Sequence, residues 1–387
     1  MLNILTIDLE DYFQVHAFSS VIKYEDWDKF ECRIERNTDR LLTILSEAVQ
    51  NSKFKTQNSN LDHSITHSLS NSLTQKVQGT FFVLGWIAER YPGLVRRIQG
   101  EGHEIACHGY AHQLVYTQSR DEFRQDVKRA KSILEDITGS EVIGYRAPSY
   151  SIRNKSQWAF EVLIEEGFKY DSSIFPIRHD FYGMPDAPRF PFVISLNGNS
   201  NVEFSMLNFE FNTASLNNGN TAGPNISLTH SLINPSSDVS EPQHGSTAAL
   251  NNSLTQSPDN SIPNNSKFII QNSKLNVQNS TFIIEFPIST VKAFGQNFPV
   301  SGGGYFRLFP YPFIKKGLKR INNVERKPFI FYVHPWEFDS DQPRINGLSF
   351  RSKFRHYVNL NKTESRFRKL LEDFQFSAIR QLLAQNS

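Results

Sequence analysis

Short apolar runs alternate with longer segments of helical periodicity along most of the chain. The continuous runs, which are typical of buried strands, are "LNILTIDLE", "GTFFVLGW", "HEIACHG", "VIGYRAPS" and "KYDSSIF". Segments with apolar residues at helical spacing lie between them, and these are "DRLLTILSEAV", "ERYPGLVRRIQGEG", "RDEFRQDVKRAKSILEDITG" and "QWAFEVLIEEG". Repetition of strand then helix predicts an α/β fold in which helices cover parallel strands.

Two segments, 51–78 and 196–280, depart from this pattern because Asn, Ser and Thr dominate them. They also resemble each other, since "NSLTQ" occurs in both and "SITHSL" in the first recurs as "SLTHSL" in the second. Such polar sequence cannot bury a core, so we expect two low-complexity insertions that form disordered or loosely ordered surface loops. We therefore do not expect His63, His67 or His230 to bind a metal. The sequence outside these two segments predicts that 1–387 is a single domain. Residues 281–387 are expected to complete its fold and its cleft.

Composition and charge limit which binding partners and which cellular compartment are expected. The 387 residues have a formal net charge of +2, which gives no electrostatic signature of a nucleic-acid binder. The acidic "MLNILTIDLEDYF" start resembles no cleaved signal, and no apolar run approaches the roughly 18 residues of a membrane span. With two cysteines and no disulfide framework, a cytoplasmic location is expected. The basic "RSKFRHYVNLNKTESRFRKLLEDF" stretch predicts a solvated helix face, with contact to an anionic glycan or a lipid headgroup as the alternative.

Polar side chains cluster where the predicted strands end. They are Asp8, Glu10 and Asp11, then His108 and His112, then Arg146, Asp171 and His334. Carboxyl ends of parallel strands share one rim, which is where ligands bind in such folds. If a helix begins after the third strand, His108 and His112 at i and i+4 project from one face and can share a metal ion. An acid from "DLED" would supply an oxygen ligand.

The same rim predicts hydrolytic chemistry. A divalent ion with two imidazole ligands and one carboxylate lowers the pKa of water and polarises a carbonyl. A second carboxylate from the first strand end would act as general base, and His334 as general acid. Arg146 would pair with the base, and Asp171 would orient His334.

Five motifs, in order, resemble those of the NodB-type polysaccharide deacetylases, carbohydrate esterase family 4. They are "TIDLED", "HGYAH", "RAPSYS", "YDSSIFP" and "YVHPWE". Longer stretches are similar to the subfamily associated with exosortase and exopolysaccharide loci, namely "TFFVLGWIAERYP", "GHEIACHGYAHQLVY", "GYRAPSYSI", "YDSSIFPIRHD", "GGGYFRLFPY" and "FRHYVNLNKTE". The resemblance covers nearly the whole chain outside the two insertions. It implies a distorted, incomplete (β/α) barrel and the metal-dependent removal of acetyl groups from an N-acetylhexosamine in a polysaccharide or a lipid-linked precursor.

By motif, the resemblance assigns the base to Asp8, metal ligands to His108 and His112, the residue that holds the base to Arg146, and the acid to His334 with Asp171 behind it. The family places two adjacent aspartates at the first strand end, whereas Leu9, Glu10 and Asp11 follow Asp8 here.

The metal carboxylate is therefore Glu10 if the strand continues, because Asp8 and Glu10 then share a face, or Asp11 if the chain turns at Leu9. Asp11 is favoured because a turn is expected at the strand end. Zinc is the expected metal, with cobalt, nickel and iron as alternatives. An amidohydrolase acting on a small amide and a noncatalytic glycan-binding protein are the alternative functions.

Overall fold

The structure is a computed structural model that describes residues 1–51, 74–179, 181–196, 202–210, 225–228 and 282–384. The strands are β1 Leu2–Leu9, β2 Val49–Asn51, β3 Thr74–Lys76, β4 Thr80–Val83, β5 Glu104–Cys107, β6 Gly144–Tyr145, β7 Tyr170–Asp171, β8 Phe192–Leu196, β9 Val202–Glu210, β10 Asn225–Leu228, β11 Phe282–Glu285, β12 Thr290–Ala293, β13 Gln296–Pro299, β14 Ile330–Val333 and β15 Gln375–Ser377. The helices are α1 Ile34–Glu47, α2 Gly85–Arg90, α3 Pro92–Gly100, α4 Arg120–Thr138, α5 Trp158–Glu165, α6 Gly303–Leu308, α7 Tyr311–Asn323, α8 Phe350–Tyr357, α9 Leu360–Asp373 and α10 Ile379–Ala384.

One large sheet organises the described strands. Its order is β10-β9-β8-β11-β7-β6-β5-β4-β1-β14, and β15 pairs with the start of β1. The run from β11 through β7, β6, β5, β4 and β1 to β14 is parallel, whereas β8, β9 and β10 extend it in antiparallel fashion. Among these strands the sheet ends at β14 and β10 and does not close on itself. The prediction of a distorted, incomplete (β/α) barrel is confirmed.

Burial on both faces explains the continuous apolar runs. In β1 every residue after Leu2 is buried, and all four residues of β4, β5 and β14 are buried as well. A strand covered on both faces by helices or by other strands has no solvent face on which to alternate polar residues. The helices are instead amphipathic, and α4 buries Phe123, Val127, Ala130 and Leu134 along one stripe.

The ends of α4 follow the sequence signals closely. Ser119 and Glu122 form a reciprocal capping box at its start, and Gly139 adopts a left-handed conformation with φ 63° at its end. Elsewhere the pattern was less informative: the basic C-terminal stretch forms two helices, α8 and α9, which are separated at Asn359, where φ is 52°.

The two polar segments lie mostly outside the described residues, and so do His63, His67 and His230. Two parts of the second segment are described, however, and both are strands: β9 pairs with β8, and β10 pairs with β9. The expectation of a loosely ordered loop was therefore wrong for these stretches. Alternating "VEFSMLNFE" supplies a strand pattern that the Asn-rich composition around it concealed.

None of the helices in the described residues is both long and apolar enough to cross a membrane.

The glycine-rich "SGGG" segment lies along the outer edge of β14. Gly302 pairs with Tyr332, whose backbone amide donates to Ser301 O at 3.0 Å. A Cβ added to Gly302 would lie 2.0 Å from Tyr332 O, and Gly302 has a φ of 134°. These glycines therefore permit close backbone approach to the strand that ends at the cleft.

We predict that Gly302→Ala lowers the free energy of unfolding by about 2 to 4 kcal/mol, because the methyl group meets a backbone carbonyl and φ is unfavourable for alanine. Gly100→Ala is the control, since nothing lies within 4 Å of the added methyl and alanine favours the helix. Urea denaturation measures both, and equal midpoints for Gly302→Ala and the unsubstituted protein would contradict the prediction.

Candidate active site

The carboxyl ends of the parallel strands bring the predicted residues to one cleft. Asp8 lies near the end of β1, His108 follows β5, Arg146 follows β6 and His334 follows β14. Register explains the convergence, because β1 pairs in parallel with both β4 and β14, and β5 pairs with both β4 and β6. The structure therefore brings Asp8, His108, Arg146 and His334 together, as the strand-end reasoning predicted.

Three potential metal ligands face one another at this position. One ligand atom from each of Glu10, His108 and His112 lies within 4.8 Å of the other two. His108 Nδ1 is 2.8 Å from Arg146 O, and donation of its proton there leaves Nε2 available as a ligand. His112 Nε2 lies 2.8 Å from Glu10 Oε2.

The charges of these groups suit a cation. Burial raises the pKa of Glu10, but the adjacent His112 and the nearby His334 outweigh it and hold that pKa at about 2. Burial also lowers the pKa of His108 to about 4, so its imidazole is neutral at pH 7. Metal binding needs a deprotonated carboxylate and neutral imidazole.

The donor set fits a divalent transition metal. Glu10 Oε2 is buried and has no hydrogen-bond partner in the described part of the chain, although it lies close to His112 Nε2. A buried carboxylate oxygen without a hydrogen bond is costly unless a cation satisfies it. Two imidazole nitrogens and one carboxylate oxygen are ligands that zinc and its neighbours prefer.

Glu10, and not Asp11, is the carboxylate beside the histidines. Asp11 accepts hydrogen bonds from the backbone amides of Tyr12 and Arg33, so its side chain is committed to the protein body. Burial raises the pKa of Asp11 to about 6. The preference for Asp11 was wrong. The chain does turn at Leu9, since the Glu10 backbone amide donates to Asp8 O at 3.0 Å, but it is Glu10 that reaches His112.

A loop, and not a helix, carries the two histidines. Gly109 and His112 both adopt positive φ values, 74° and 53°. Asp126 of α4 holds this loop, because its Oδ2 accepts a hydrogen bond from Tyr110 N at 3.0 Å. A Cβ at residue 109 would lie 2.7 Å from that same oxygen, which explains the glycine. The sequence signal for Asp126 was an acid on the apolar stripe of α4, three residues after Phe123.

Arg146 pairs with Asp8 as the sequence predicted. Its side chain is fully buried, and Nη1 lies 2.6 Å from Asp8 Oδ1 and 2.9 Å from Thr6 Oγ1. Ser172 accepts two further hydrogen bonds from the guanidinium, at 3.0 Å through its carbonyl and at 2.8 Å through its hydroxyl. Asp8 Oδ1 is therefore fixed by Arg146, while Oδ2 lies 3.8 Å from His334 Nε2.

Glu337, and not Asp171, orients His334. Its Oε2 lies 3.1 Å from His334 Nδ1 and also accepts the His334 backbone amide at 3.0 Å. Arg307 donates to the other Glu337 oxygen at 2.7 Å. Burial lowers the pKa of His334, but Glu337, Glu10 and Asp8 together outweigh it and raise that pKa to about 9. The sequence signal was "HPWE". In it, His334 stands before a proline that begins a turn, and Glu337 follows three residues later.

Asp171 belongs to a different interaction. It accepts hydrogen bonds from the Ser173 backbone amide at 3.1 Å and hydroxyl at 2.6 Å, and it forms a side-chain hydrogen bond with Glu285. Burial and the adjacent Asp171 raise the pKa of Glu285 well above its usual range. These two buried carboxyl groups therefore keep a proton to higher pH than exposed carboxyl groups do.

The cleft in front of these residues has a volume of about 630 Å³. Its walls include Glu10 and His112 at the base and the aromatic side chains Tyr150, Phe181, Tyr182, Tyr305, Tyr332 and Trp336. Trp336 stacks on His334 with ring centroids 5.2 Å apart, and its Nε1 donates to Glu10 Oε1 at 3.3 Å. Trp336 therefore links the two sides of the site.

Substitution distinguishes the two candidate carboxylates. We predict that Glu10→Gln loses most bound divalent metal, because an amide is a far weaker ligand than a carboxylate. Asp11→Asn should retain the metal but unfold more readily, by about 1 to 3 kcal/mol, because an amide nitrogen cannot accept the Arg33 amide. Elemental analysis after dialysis and thermal denaturation measure the two effects. Normal metal content in Glu10→Gln would contradict the assignment.

The buried carboxyl pair predicts a pH dependence of stability. The folded protein keeps a proton on Glu285 at pH values where the unfolded chain releases it, so stability falls as pH rises above about 4.5 towards the folded pKa. Glu285→Gln carries no such proton. We expect its unfolding free energy, relative to the unsubstituted protein, to increase between pH 5 and pH 9. A constant difference over that range, measured by urea denaturation, would count against the raised pKa of Glu285.

Parts of the chain are similar to known proteins. The family described as polysaccharide deacetylase matches residues 60–163, and a domain of unknown function, DUF3473, matches residues 255–384. A peptidoglycan-N-acetylglucosamine deacetylase of Bacillus cereus is 35% identical over 102 residues, which are 26% of this chain and 37% of that protein. A peptidoglycan deacetylase of Helicobacter pylori is 29% identical over 102 residues, which are 26% of this chain and 33% of that protein. The matched region thus spans about a third of the length of these relatives.

Solved structures give a weaker likeness. A putative polysaccharide deacetylase from Mycobacterium smegmatis is 15% identical, with 99% of this chain and 90% of that chain covered and a TM-score of 0.45. A family 4 carbohydrate esterase from Streptomyces lividans in complex with acetate is 18% identical, with 44% and 61% covered and a TM-score of 0.28. The polysaccharide deacetylase match over residues 60–163 includes both histidines and Arg146.

Proposed function

We propose that this protein is a metal-dependent hydrolase that removes acetyl groups from an N-acetylhexosamine glycan. The observation that carries the proposal is the grouping of Glu10, His108 and His112 around one point at the base of an aromatic cleft. A base candidate and an acid candidate stand beside this group on separate strands. The names of the related peptidoglycan deacetylases support the same reaction type.

A divalent ion, with zinc as the proposed species, would polarise the acetamide carbonyl and lower the pKa of water. The protein supplies the proton transfers. Asp8 takes a proton from the attacking water, and Arg146 fixes one oxygen of Asp8 so that the other faces the cleft. The water oxygen bonds to the acetyl carbon, the carbon–nitrogen bond breaks, and His334 donates a proton to the departing amine. The products are acetate and a free amino sugar.

Neighbouring residues fix the direction of His334. Glu337 binds its Nδ1 side, so Nε2 points towards Asp8 and Glu10, at 3.8 Å and 3.6 Å. Trp336 stacks against the ring and is itself stacked on His356, with centroids 4.2 Å apart. A proton donor held on one face and at one nitrogen keeps its orientation through the reaction.

The cleft suits a sugar substrate. Its volume of about 630 Å³ exceeds that of a single hexosamine ring, so neighbouring residues of a chain can enter as well. Aromatic side chains in its walls offer apolar faces for the pyranose rings. We propose an N-acetylated exopolysaccharide or its lipid-linked precursor as substrate. The cytoplasmic location stays a prediction.

Acetate release tests the proposal. Purified protein is incubated with a panel of N-acetylated oligosaccharides, with and without a chelator, and acetate is quantified. We expect release from at least one N-acetylhexosamine oligomer, loss on chelation and recovery with added zinc. Release from a small cyclic or linear amide alone would favour the amidohydrolase alternative. Tight glycan binding without any acetate would favour a noncatalytic binding protein.

The general acid has its own test, because amide and ester substrates differ in their need for it. We predict that His334→Ala lowers turnover of an N-acetyl sugar by about 100-fold to 10,000-fold. An activated aryl acetate, whose leaving group needs no proton, should lose far less. Asp8→Asn is the matched comparison and should lose both activities, since both need the base. Equal losses on the two substrates in His334→Ala, with metal content intact, would show that His334 is not the acid.

A further inference from the structure

The helix α8 presents phenylalanine side chains to water beside the cleft. Phe350 is 84% exposed and Phe354 is 48% exposed, and their rings stack with centroids 6.4 Å apart. Residues at i and i+4 share one helix face, so the two rings form a continuous apolar surface. The same helix faces inward with His356, which is buried against Trp336.

Cations surround this surface, and no acid lies near it in sequence. Residues 342–363 contain no Asp or Glu, and their basic residues are Arg344, Arg351, Lys353, Arg355 and Lys362. The salt bridges found in the described part of the chain include none of these five side chains, although they pair other surface arginines such as Arg40, Arg124 and Arg368. The positive charge here is therefore not neutralised within the described fold.

The surface adjoins the mouth of the cleft. Phe354 and Arg355 line the cleft, and so do Leu308, which is 42% exposed, and Phe181, which is 48% exposed. The exposed rings of α8 therefore border the entrance through which a substrate must pass.

We propose that α8 and its flanking cations dock this protein on an anionic lipid bilayer, with the cleft mouth at the membrane surface. Phenylalanine rings enter the boundary between headgroups and acyl chains, while lysine and arginine side chains reach the acidic headgroups. Charge complementarity selects this occupant, because each basic side chain near an anionic surface adds favourable binding. Docking explains why a lipid-linked glycan would be a suitable substrate, and in that respect it rests on the proposed function.

Vesicle sedimentation tests the docking without using the reaction. The full chain is mixed with vesicles of phosphatidylcholine alone or with a third phosphatidylglycerol, at low salt and at 0.5 M NaCl. We expect binding to the anionic vesicles, little binding to neutral ones and clear weakening at high salt, because salt screens the headgroup charge. Absence of binding to the anionic vesicles at low salt would overturn the proposal.

Substitutions place the contact on α8. Arg351→Gln with Lys353→Gln should weaken binding about 25-fold, at about fivefold for each charge, and Phe350→Ser should weaken it further. None of these three residues lines the cleft, so acetate release from a soluble oligosaccharide should not change. Phe294→Ser is the control, because Phe294 is 99% exposed but lies in the turn between β12 and β13.

The remaining outcomes are distinct. An equal loss in Phe294→Ser would show that general exposed hydrophobicity carries the binding and would overturn the role of α8. Displacement from vesicles by a soluble anionic polysaccharide at equal charge, with the same dependence on Arg351 and Lys353, would instead assign the surface to a glycan. If acetate release fails but vesicle binding responds as expected, the proposed function falls and the docking surface stands.

Discussion

The buried guanidinium of Arg146 needs hydrogen-bond acceptors, and the strands around it are arranged to provide them. Thr6 and Asp8 accept from β1, and Ser172 accepts twice from the end of β7. The Arg146 carbonyl in turn binds His108 Nδ1 at the end of β5. A buried charge that loses its partner costs about 3 to 5 kcal/mol, so this residue fixes three strand ends relative to one another. The positions of the candidate base and of one metal ligand both depend on it.

Different surroundings give the acids around the cleft different charges. The pKa of Glu10 is low because histidines outweigh the effect of burial, whereas burial and the adjacent Asp171 both raise the pKa of Glu285 well above its usual range. Burial also raises the pKa of Glu337, but Arg307 and His334 outweigh it and hold that pKa below its usual range. The metal-facing and His334-facing carboxylates are thus ionised, while the pair behind Arg146 keeps a proton to higher pH.

Sequence reasoning found the site because strand ends in a parallel sheet must converge, whatever their exact length. It favoured Asp11 over Glu10, because periodicity does not say which way a side chain points once the chain turns at Leu9. It assigned Asp171 to His334 because both follow strands, whereas the nearer carboxylate, Glu337, comes from the turn that His334 itself begins. The spacing of His108 and His112 suggested a helix, but positive φ values at Gly109 and His112 allow a loop to bring both rings together. The periodicity of apolar residues does not reveal the backbone conformation of single residues, and that conformation decided these positions.

The region of unknown function completes the site and does not form a separate unit. The deacetylase match over 60–163 contains His108, His112 and Arg146, whereas His334 and Glu337 lie in the match over 255–384. The strand that carries His334, β14, pairs with β1, which carries Asp8. The same C-terminal region adds Trp336 and α8 to the cleft wall. Since the candidate acid, its neighbouring carboxylate and one wall of the cleft come from that region, changes there should alter substrate choice while the candidate metal ligands stay the same.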